Sequence, residues 1–208
     1  MEAVTYGLAG LFLLAVILYF FRGEKLQAPS VPRAVYKIIP TSLCALLALS
    51  FAIRGSGNYA WLLFAGLVVC ALADWLLEFR FLAGMGAFGC GHILYCLGYA
   101  LAAPVTMRSL WVFLGLFGVV FLIWLRLRSK LDQAPLFLVY ACVLCAMASL
   151  ASGLTPLLMA GGLLFVVSDL MIGIRLAMNI RNKGYGVAIM VTYYAAQFLI
   201  AWSAGHLV

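Results

Sequence analysis

Two aspartates lie inside long apolar stretches, and they are the first candidates for chemistry. Asp74 ends the run GLVVCALAD and Asp169 ends the run GGLLFVVSD. A charge at the centre of a membrane helix costs about 2.5 to 3.5 kcal/mol on insertion scales, so such residues usually face a cavity and are functional. Two aspartates on one cavity cannot both ionise cheaply, so one keeps a proton while the other acts as a base. The alternative is structural: each aspartate forms hydrogen bonds or pairs with Arg80 or Arg175.

Polar side chains in two other apolar stretches are candidates for substrate contacts. His92 and Tyr95 are three positions apart, so they share one face of a helix and are expected to look into a helix bundle. Tyr194 and Gln197 have the same spacing, and Tyr193 lies four positions before Gln197, so these side chains form a second inward stripe near the membrane midplane. This stripe either binds a substrate head group or cross-links helices, and the pattern leaves both interpretations open.

Two further polar residues accompany the aspartates. Glu78 lies one helical turn beyond Asp74 on the same face, and Ser168 directly precedes Asp169. Ser168 has no histidine at helical spacing, and the sequence contains no G-x-S-x-G motif. Serine hydrolase chemistry is therefore not indicated.

The motifs that would indicate a cofactor or a metal are weak. Gly84, Gly86 and Gly89 spell G-x-G-x-x-G, but no preceding strand supports a dinucleotide site, and small residues that let helices pack are the better explanation. With only His92 and His206 in the chain, a zinc site is not expected. The six cysteines all lie in apolar stretches and are expected to be small buried residues. We therefore expect neither a cofactor nor a metal.

The composition defines the elements that must position these residues. The chain is 67% hydrophobic and 9% charged, against about 25% charged residues in soluble domains, and its mean hydropathy is +1.17. We expect an all-α polytopic membrane protein, with residues 1–208 forming a single integral membrane domain. A span needs about 20 apolar residues. Eight candidates lie near residues 4–21, 38–53, 60–78, 81–103, 109–125, 134–151, 155–177 and 186–204.

The distribution of basic residues predicts an orientation. Only Arg54 and Arg108 fall in the even-numbered connections. The odd-numbered connections hold the other eleven of the 13 basic residues: Arg22, Lys25, Arg33, Lys37, Arg80, Arg126, Arg128, Lys130, Arg175, Arg181 and Lys183. This bias places the odd-numbered connections in the cytoplasm and both termini outside it. It also explains the net charge of +7 without a nucleic-acid partner.

A faint internal repeat relates the two aspartates. Asp74 and Asp169 are 95 positions apart. The same offset relates Arg33 to Arg128, Pro40 to Pro135 and Gly66 to Gly161. An offset of four helices would give two parallel four-helix repeats. Helices 3 and 7 would then run in the same direction with their aspartates at similar depth, and we expect Asp74 to be the partner of Asp169.

Several motifs together resemble the YhhN-like family, which includes the eukaryotic TMEM86 lysoplasmalogenases. An aspartate lies in the context Ala73-Asp74-Trp-Leu-Leu, where the family usually has glycine in place of Ala73. Lys37 with Pro40 opens the second helix. The other matching positions are Phe81, Gly84, Phe88, His92 and Tyr95, then Gly161 or Gly162 with Phe165, Ser168 and Asp169, and then Tyr194 and Gln197. The resemblance runs from Lys37 to the eighth helix.

The resemblance implies an enzyme that cleaves the vinyl ether bond of lysoplasmalogens. The products would be a fatty aldehyde and glycerophosphoethanolamine or glycerophosphocholine. Asp74 and Asp169 would be catalytic, and His92, Tyr95, Tyr194, Gln197, Glu78 and Ser168 would bind or orient the substrate. Lys37, with Arg33 and Arg128, is expected to hold the phosphate. The partners would be the lysophospholipid and membrane lipids, and the location a bacterial inner membrane.

Two other classes remain as alternatives. Internal repeats and polar residues inside the membrane are also features of transporters, which would move a lipid or small molecule without changing it. An intramembrane aspartyl protease also uses two aspartates. Such proteases carry a G-x-G-D element, however, which is absent at both aspartates of this chain.

Overall fold

Eight long apolar helices make up the bundle. The computed structural model describes residues 2–26 and 28–206. In these ranges, all eight helices are long and apolar enough to cross a membrane. They are α1 (Glu2–Leu18, continued by a π-helical turn at Tyr19–Gly23), α2 (Val31–Ile53), α3 (Asn58–Phe79), α4 (Phe81–Ala102), α5 (Met107–Leu127), α6 (Ala134–Ala151), α7 (Pro156–Ala177) and α8 (Lys183–Ser203). The predicted all-α fold with eight spans is confirmed.

The second helix begins earlier than the hydropathy pattern predicts. It starts at Val31 rather than near residue 38, with Pro32 in its first turn. Lys37 and Pro40 therefore lie inside the helix, and the expectation that they open it is wrong. The hydropathy pattern placed the start of α2 too late because Arg33 and Lys37 interrupt the apolar run. Both residues form ion pairs with acidic residues of α3, so the helix continues through them.

The packing of the helices agrees with the predicted four-helix repeat. α3 packs along α2 and α4, and α7 packs correspondingly along α6 and α8. The two most extensive contacts between the halves are α4 with α6 and α2 with α8, and α3 also touches α8. When each helix is exchanged for its counterpart four helices away, the α4–α6 contact becomes the α8–α2 contact. A parallel repeat requires this correspondence. The apolar core runs through the centre of this arrangement, while α5 packs mainly against α6 at the outside.

One glycine of the G-x-G-x-x-G run allows α3 and α4 to approach closely. A Cβ added at Gly84 would lie 2.6 Å from the main chain of Leu77. A Cβ at Gly86 would meet nothing within 4 Å, and one at Gly89 would make an ordinary contact with Tyr140. Gly84 alone thus accounts for tight packing in this run, because the main chain of Leu77 cannot rotate away.

Replacing this glycine should loosen the α3–α4 pair. We expect Gly84→Ala to cost about 1 to 3 kcal/mol of stability, the usual range for overpacking. Gly86→Ala is the matched control and should be neutral, because its methyl group enters open space. Thermal melting of both variants in mild detergent measures the difference. Equal melting temperatures would show that the close approach at Gly84 does not limit packing.

Candidate active site

Asp74 lies at the centre of a buried polar cluster formed by three helices. Its carboxylate, on α3, is 1% exposed. From α2, the Thr41 hydroxyl donates to Asp74 Oδ2 at 2.8 Å, and Lys37 Nζ lies 3.6 Å from Oδ1. From α8, the Tyr193 hydroxyl donates to Oδ2 at 2.6 Å. The Lys37 ammonium stabilises a negative charge on Asp74, and it does so strongly because water is excluded.

A chain of hydrogen bonds fixes the direction of the Tyr193 proton. Gln197 Nε2 donates to the Tyr193 oxygen at 3.0 Å, and the Tyr95 hydroxyl donates to Gln197 Oε1 at 3.0 Å. All three side chains are buried. Because the amide of Gln197 is held by Tyr95, its NH₂ group points at Tyr193, whose single proton goes to Asp74. The stripe on α8 thus acts as a cross-link that orients a donor.

Asp169 has a different environment, made of neutral groups. Its Oδ2 accepts a hydrogen bond from the Tyr140 hydroxyl on α6, and His92 Nε2 on α4 lies 3.1 Å from the same hydroxyl. A phenol has one proton, so when Tyr140 donates to Asp169, His92 must donate from Nε2. Its Nδ1 then carries only a lone pair, and this buried atom has no hydrogen-bond partner among the described residues.

The Asp169–Tyr140–His92 chain supports two proton arrangements. In the first, Asp169 is ionised and accepts from Tyr140. In the second, a protonated Asp169 donates to Tyr140, which then donates to His92 Nε2 in its other tautomer. The chain therefore keeps its hydrogen bonds whether or not Asp169 carries a proton.

The difference between the two aspartates arises from their helix neighbours. The 95-residue offset that relates Asp74 to Asp169 relates Lys37 to Asp132. Asp132 is exposed in the connection between α5 and α6, so the position equivalent to Lys37 supplies no buried ammonium. Two carboxylates in equivalent helix positions consequently have different direct partners: an ammonium beside Asp74 and a neutral phenol beside Asp169.

Both aspartates line one cavity, which we call the aspartate cavity. It takes in about 540 Å³ of space, part of which is open to the surroundings, and is bordered by α2, α3, α4, α6, α7 and α8. Asp74 lies five residues from the end of α3 and Asp169 eight residues from the end of α7, which corresponds to depths of about 7 and 12 Å. Lys37, Tyr140 and Tyr193 also line the cavity, so the groups that hold each aspartate border the same space.

The direct partners of the aspartates differ from those expected. The partner of Asp169 is Tyr140 rather than Asp74. α3 and α7 share no substantial packing in the described part of the chain, so the two carboxylates approach the cavity from separate walls. The cation beside Asp74 is Lys37 and not Arg80, while Arg175 Nε donates to the main-chain oxygen of Ile180.

The other predicted site residues lie around the cavity rather than in it, with one exception. Glu78 forms an ion pair with Arg33 at 3.0 Å and does not border the cavity. Ser168 does border it, and its hydroxyl donates to the main-chain oxygen of Ile189. The Tyr194 hydroxyl donates to the main-chain oxygen of Lys37 at 3.1 Å, in the turn before Pro40. His92 and Tyr95 also lie behind the lining of the cavity, where they form hydrogen bonds with Tyr140 and Gln197 respectively.

Sequence reasoning missed three residues that contact the carboxylates. Thr41 is one turn beyond Lys37, a spacing that could have revealed it once Lys37 was placed in a helix. Tyr193 was seen only as a neighbour of Gln197. Tyr140 gave one general signal, a tyrosine within an apolar helix, which usually needs a partner for its hydroxyl. Its position beside Asp169 depends on how α6 packs against α4 and α7.

Loss of the buried ammonium should destabilise the fold. Lys37→Met leaves Asp74 as an unpaired buried charge, and we expect a loss of about 3 to 5 kcal/mol, as for other broken buried pairs. The double variant Lys37→Met with Asp74→Asn should regain much of the lost stability, because the amide oxygen of the asparagine still accepts hydrogen bonds from Thr41 and Tyr193. Arg33→Met is the control at a pair whose arginine is 24% exposed, and it should cost less. Equal melting temperatures for Lys37→Met and wild type would contradict an ionised Asp74.

Removing the Tyr140 hydroxyl should affect turnover more than stability. Tyr140→Phe takes away the only hydrogen bond to Asp169 that the described residues provide. We expect kcat of whatever reaction the site performs to fall by about 10²-fold, within the range for general acid/base catalysis. Tyr99→Phe is the matched control, because the buried Tyr99 hydroxyl has no hydrogen-bond partner among the described residues and its loss should be harmless. If both variants kept full activity, Tyr140 would have no role in positioning Asp169.

Comparison with known proteins identifies the family to which the chain belongs. No solved structure matches the chain significantly. The model of the YhhN family matches residues 33–204, a region that includes both aspartates and all of their hydrogen-bond partners. By this match over most of its length, the chain belongs to the YhhN family.

Proposed function

We propose that this protein is a lysoplasmalogenase, a hydrolase that cleaves the vinyl ether bond of lysoplasmalogens. The products are a fatty aldehyde and glycerophosphoethanolamine or glycerophosphocholine. One observation carries the proposal: two carboxylates border one cavity inside a membrane bundle, one paired with an ammonium and the other with a neutral phenol. Membership of the YhhN family is consistent with it.

The unequal surroundings suit an acid and a base of the same chemical type. Asp169 has neutral partners and a chain that tolerates its proton, so it is the acid. Asp74 lies beside the Lys37 ammonium and stays ionised, so it is the base. Pairs of titratable groups in contrasting environments are the usual source of such a division of roles.

Vinyl ether cleavage begins with transfer of a proton to carbon. Asp169 gives its proton to the alkenyl carbon one bond removed from the ether-bearing carbon, and the positive charge is shared between the ether-bearing carbon and its oxygen. The carboxylate of Asp74 stabilises this oxocarbenium ion across the cavity. Tyr140 keeps the Asp169 carboxylate oriented and hydrogen-bonded after the proton has left.

Water completes the reaction with a balanced transfer of protons. A water molecule attacks the cationic carbon and gives one proton to Asp74, which forms a hemiacetal. The hemiacetal hydroxyl then returns a proton to Asp169 as the carbon–oxygen bond breaks, and Asp74 protonates the departing glycerol oxygen. Both aspartates regain their starting states, and the net reaction consumes one water.

This chemistry uses only groups of the chain itself, and the expectation that no metal or cofactor takes part stays a prediction. The site lies about 7 to 12 Å from the ends of α3 and α7, a depth that suits a bond next to a lipid head group. We place the basic residues at these ends in the cytoplasm, and the protein in a bacterial inner membrane.

A lipid or small-molecule transporter is the second candidate. The repeat-like packing of α1–α4 and α5–α8 around a central cavity favours it, because many transporters are built in this way. In that case the aspartates would couple flux to protons, and the substrate would leave the protein unchanged. An assay for chemical conversion separates the two functions.

The proposed activity is measured as aldehyde release from a 1-alkenyl lysophospholipid by purified protein in mild detergent with EDTA present. We expect release by wild type, and a loss of at least about 10² to 10⁴-fold in Asp74→Asn and in Asp169→Asn, because each removes one proton-transfer group. Thermal melts check that both variants remain folded.

The control for these variants is Glu78→Gln, an acidic residue of α3 outside the cavity. It should retain most of the activity. Full activity in either aspartate variant would remove that residue from the mechanism. No aldehyde from well-folded wild type would reject the hydrolase, and substrate flux into liposomes would then be measured.

A further inference from the structure

A second cavity adjoins the aspartate cavity and shares part of its wall. We call it the apolar groove. It lies between α5, α6 and α7, encloses about 570 Å³ and is partly open to the surroundings. Phe137, Tyr140 and Asp169 line both cavities. These three side chains therefore lie at the border where the two cavities meet.

The wall of the groove is made of hydrocarbon apart from this pair. α5 contributes Val120, Ile123 and Leu127, and the residues from α6 and α7 are similarly apolar. The one other strong donor is Trp124, and its indole N–H is already bonded to the main-chain oxygen of Ala134 at 2.8 Å. The groove thus offers dispersion contacts and exclusion of water, which are the interactions that an alkyl chain needs.

The two cavities have opposite chemical character on either side of Asp169. The groove is apolar, while the aspartate cavity contains the Lys37–Asp74 ion pair. A molecule that fits both must have an apolar arm and a polar arm that meet at Asp169. α5 packs mainly on α6 and only marginally on α7, so the groove extends outward between these helices.

We propose that the apolar groove is the subsite for the alkyl chain of a single-chain amphiphile, and that it sets the chain-length preference of the protein. The polar part of the same molecule lies in the aspartate cavity, and the bond at the start of the chain lies beside Asp169. This subsite deepens the proposed hydrolase function and rests on it for the identity of the bond. A chain in the groove also shields Asp169 from bulk water.

Gly173 provides a direct way to block the groove. It lies on α7 one turn beyond Asp169 and lines the groove, and a Cβ added there would meet nothing within 4 Å. Large side chains on a helix lean toward its N-terminus. The ring of Gly173→Phe would therefore extend back toward Leu170 and Asp169 and occupy the space of the chain.

Gly118 provides the matched control on the opposite wall helix. It lies in α5 but does not line the groove, and a Cβ there also meets nothing within 4 Å. Gly118→Phe adds the same side chain to a membrane helix while leaving the groove open. Any effect of bulk or of helix propensity alone should be common to both variants.

The test measures binding without turnover. The probes are saturated 1-alkyl ether lysophosphatidylethanolamines with octyl, decyl and dodecyl chains, which have no vinyl ether to hydrolyse. Affinities come from calorimetric titration at one fixed detergent concentration. In wild type and Gly118→Phe we expect affinity to rise with each methylene, by up to about fourfold, the factor for complete burial of a CH₂ group. In Gly173→Phe the rise should be lost.

The outcomes separate the groove from the proposed reaction. Equal chain-length dependence in all three proteins would overturn the groove, whether or not wild type releases aldehyde from the alkenyl substrate. Chain-length dependence that is lost only in Gly173→Phe, in a protein that releases no aldehyde, would support the groove and reject the hydrolase.

A second measurement needs no variant, in case Gly173→Phe does not fold. A probe with a diazirine in its alkyl chain is cross-linked to wild type and the labelled peptides are identified. Labels on α5, α6 or α7 at groove positions support the proposal. Labels confined to α1 or to the outer face of α4 would overturn it.

Discussion

The structure depends on the ion pair between Lys37 and Asp74 inside an apolar bundle. Neither charge is tolerable alone at this depth, since an uncompensated buried charge costs several kcal/mol. The pair lies 3.6 Å apart, and Thr41 and Tyr193 satisfy the carboxylate further. Since these groups come from α2, α3 and α8, they tie the first half of the chain to the last helix. Together with the Arg33–Glu78 pair, it lets α2 extend through two basic residues.

The ion pair also breaks the symmetry of the repeat. Parallel four-helix halves place an aspartate at equivalent positions on α3 and α7, and identical surroundings would give two similar groups. The chain supplies an ammonium to one and a phenol backed by an imidazole to the other. An acid and a base thereby arise from two residues of one type, because their neighbours differ. The border at Tyr140 and Asp169 adds a second asymmetry, with an apolar groove on one side only.

The sequence predicted the features that depend on local physics. Seven of the eight spans agree with the helices within about three residues, because lipid requires a long apolar helix wherever the chain crosses it. The start of α2 was not predictable in this way, since Arg33 and Lys37 are stable in a helix only when Glu78 and Asp74 are in place. Asp74 and Asp169 stood out because a carboxylate in such a stretch is costly.

The hydrogen-bond partners of the two carboxylates could not be predicted from local sequence patterns. His92 and Tyr140 are 48 positions apart, and Tyr193 and Asp74 are 119 positions apart. These contacts follow from the packing of α4 against α6 and of α8 near α2 and α3, which no spacing along the chain encodes. The aspartates share one cavity as expected, but α3 and α7 do not pack together to bring them side by side, as the sequence had suggested. Both were placed on inward faces, but the space between them is a cavity rather than a contact.

The most direct test of the account is to follow the proton that Asp169 is proposed to give to carbon. The purified protein is supplied with 1-alkenyl lysophospholipid in D₂O, and the aldehyde is reduced in situ and analysed by mass spectrometry and NMR. The account predicts a single deuterium on the carbon next to the former carbonyl, in one stereochemical configuration, and no such product from Asp169→Asn. Aldehyde that lacks this deuterium, or that carries it equally in both configurations, would contradict proton transfer from a fixed carboxylic acid.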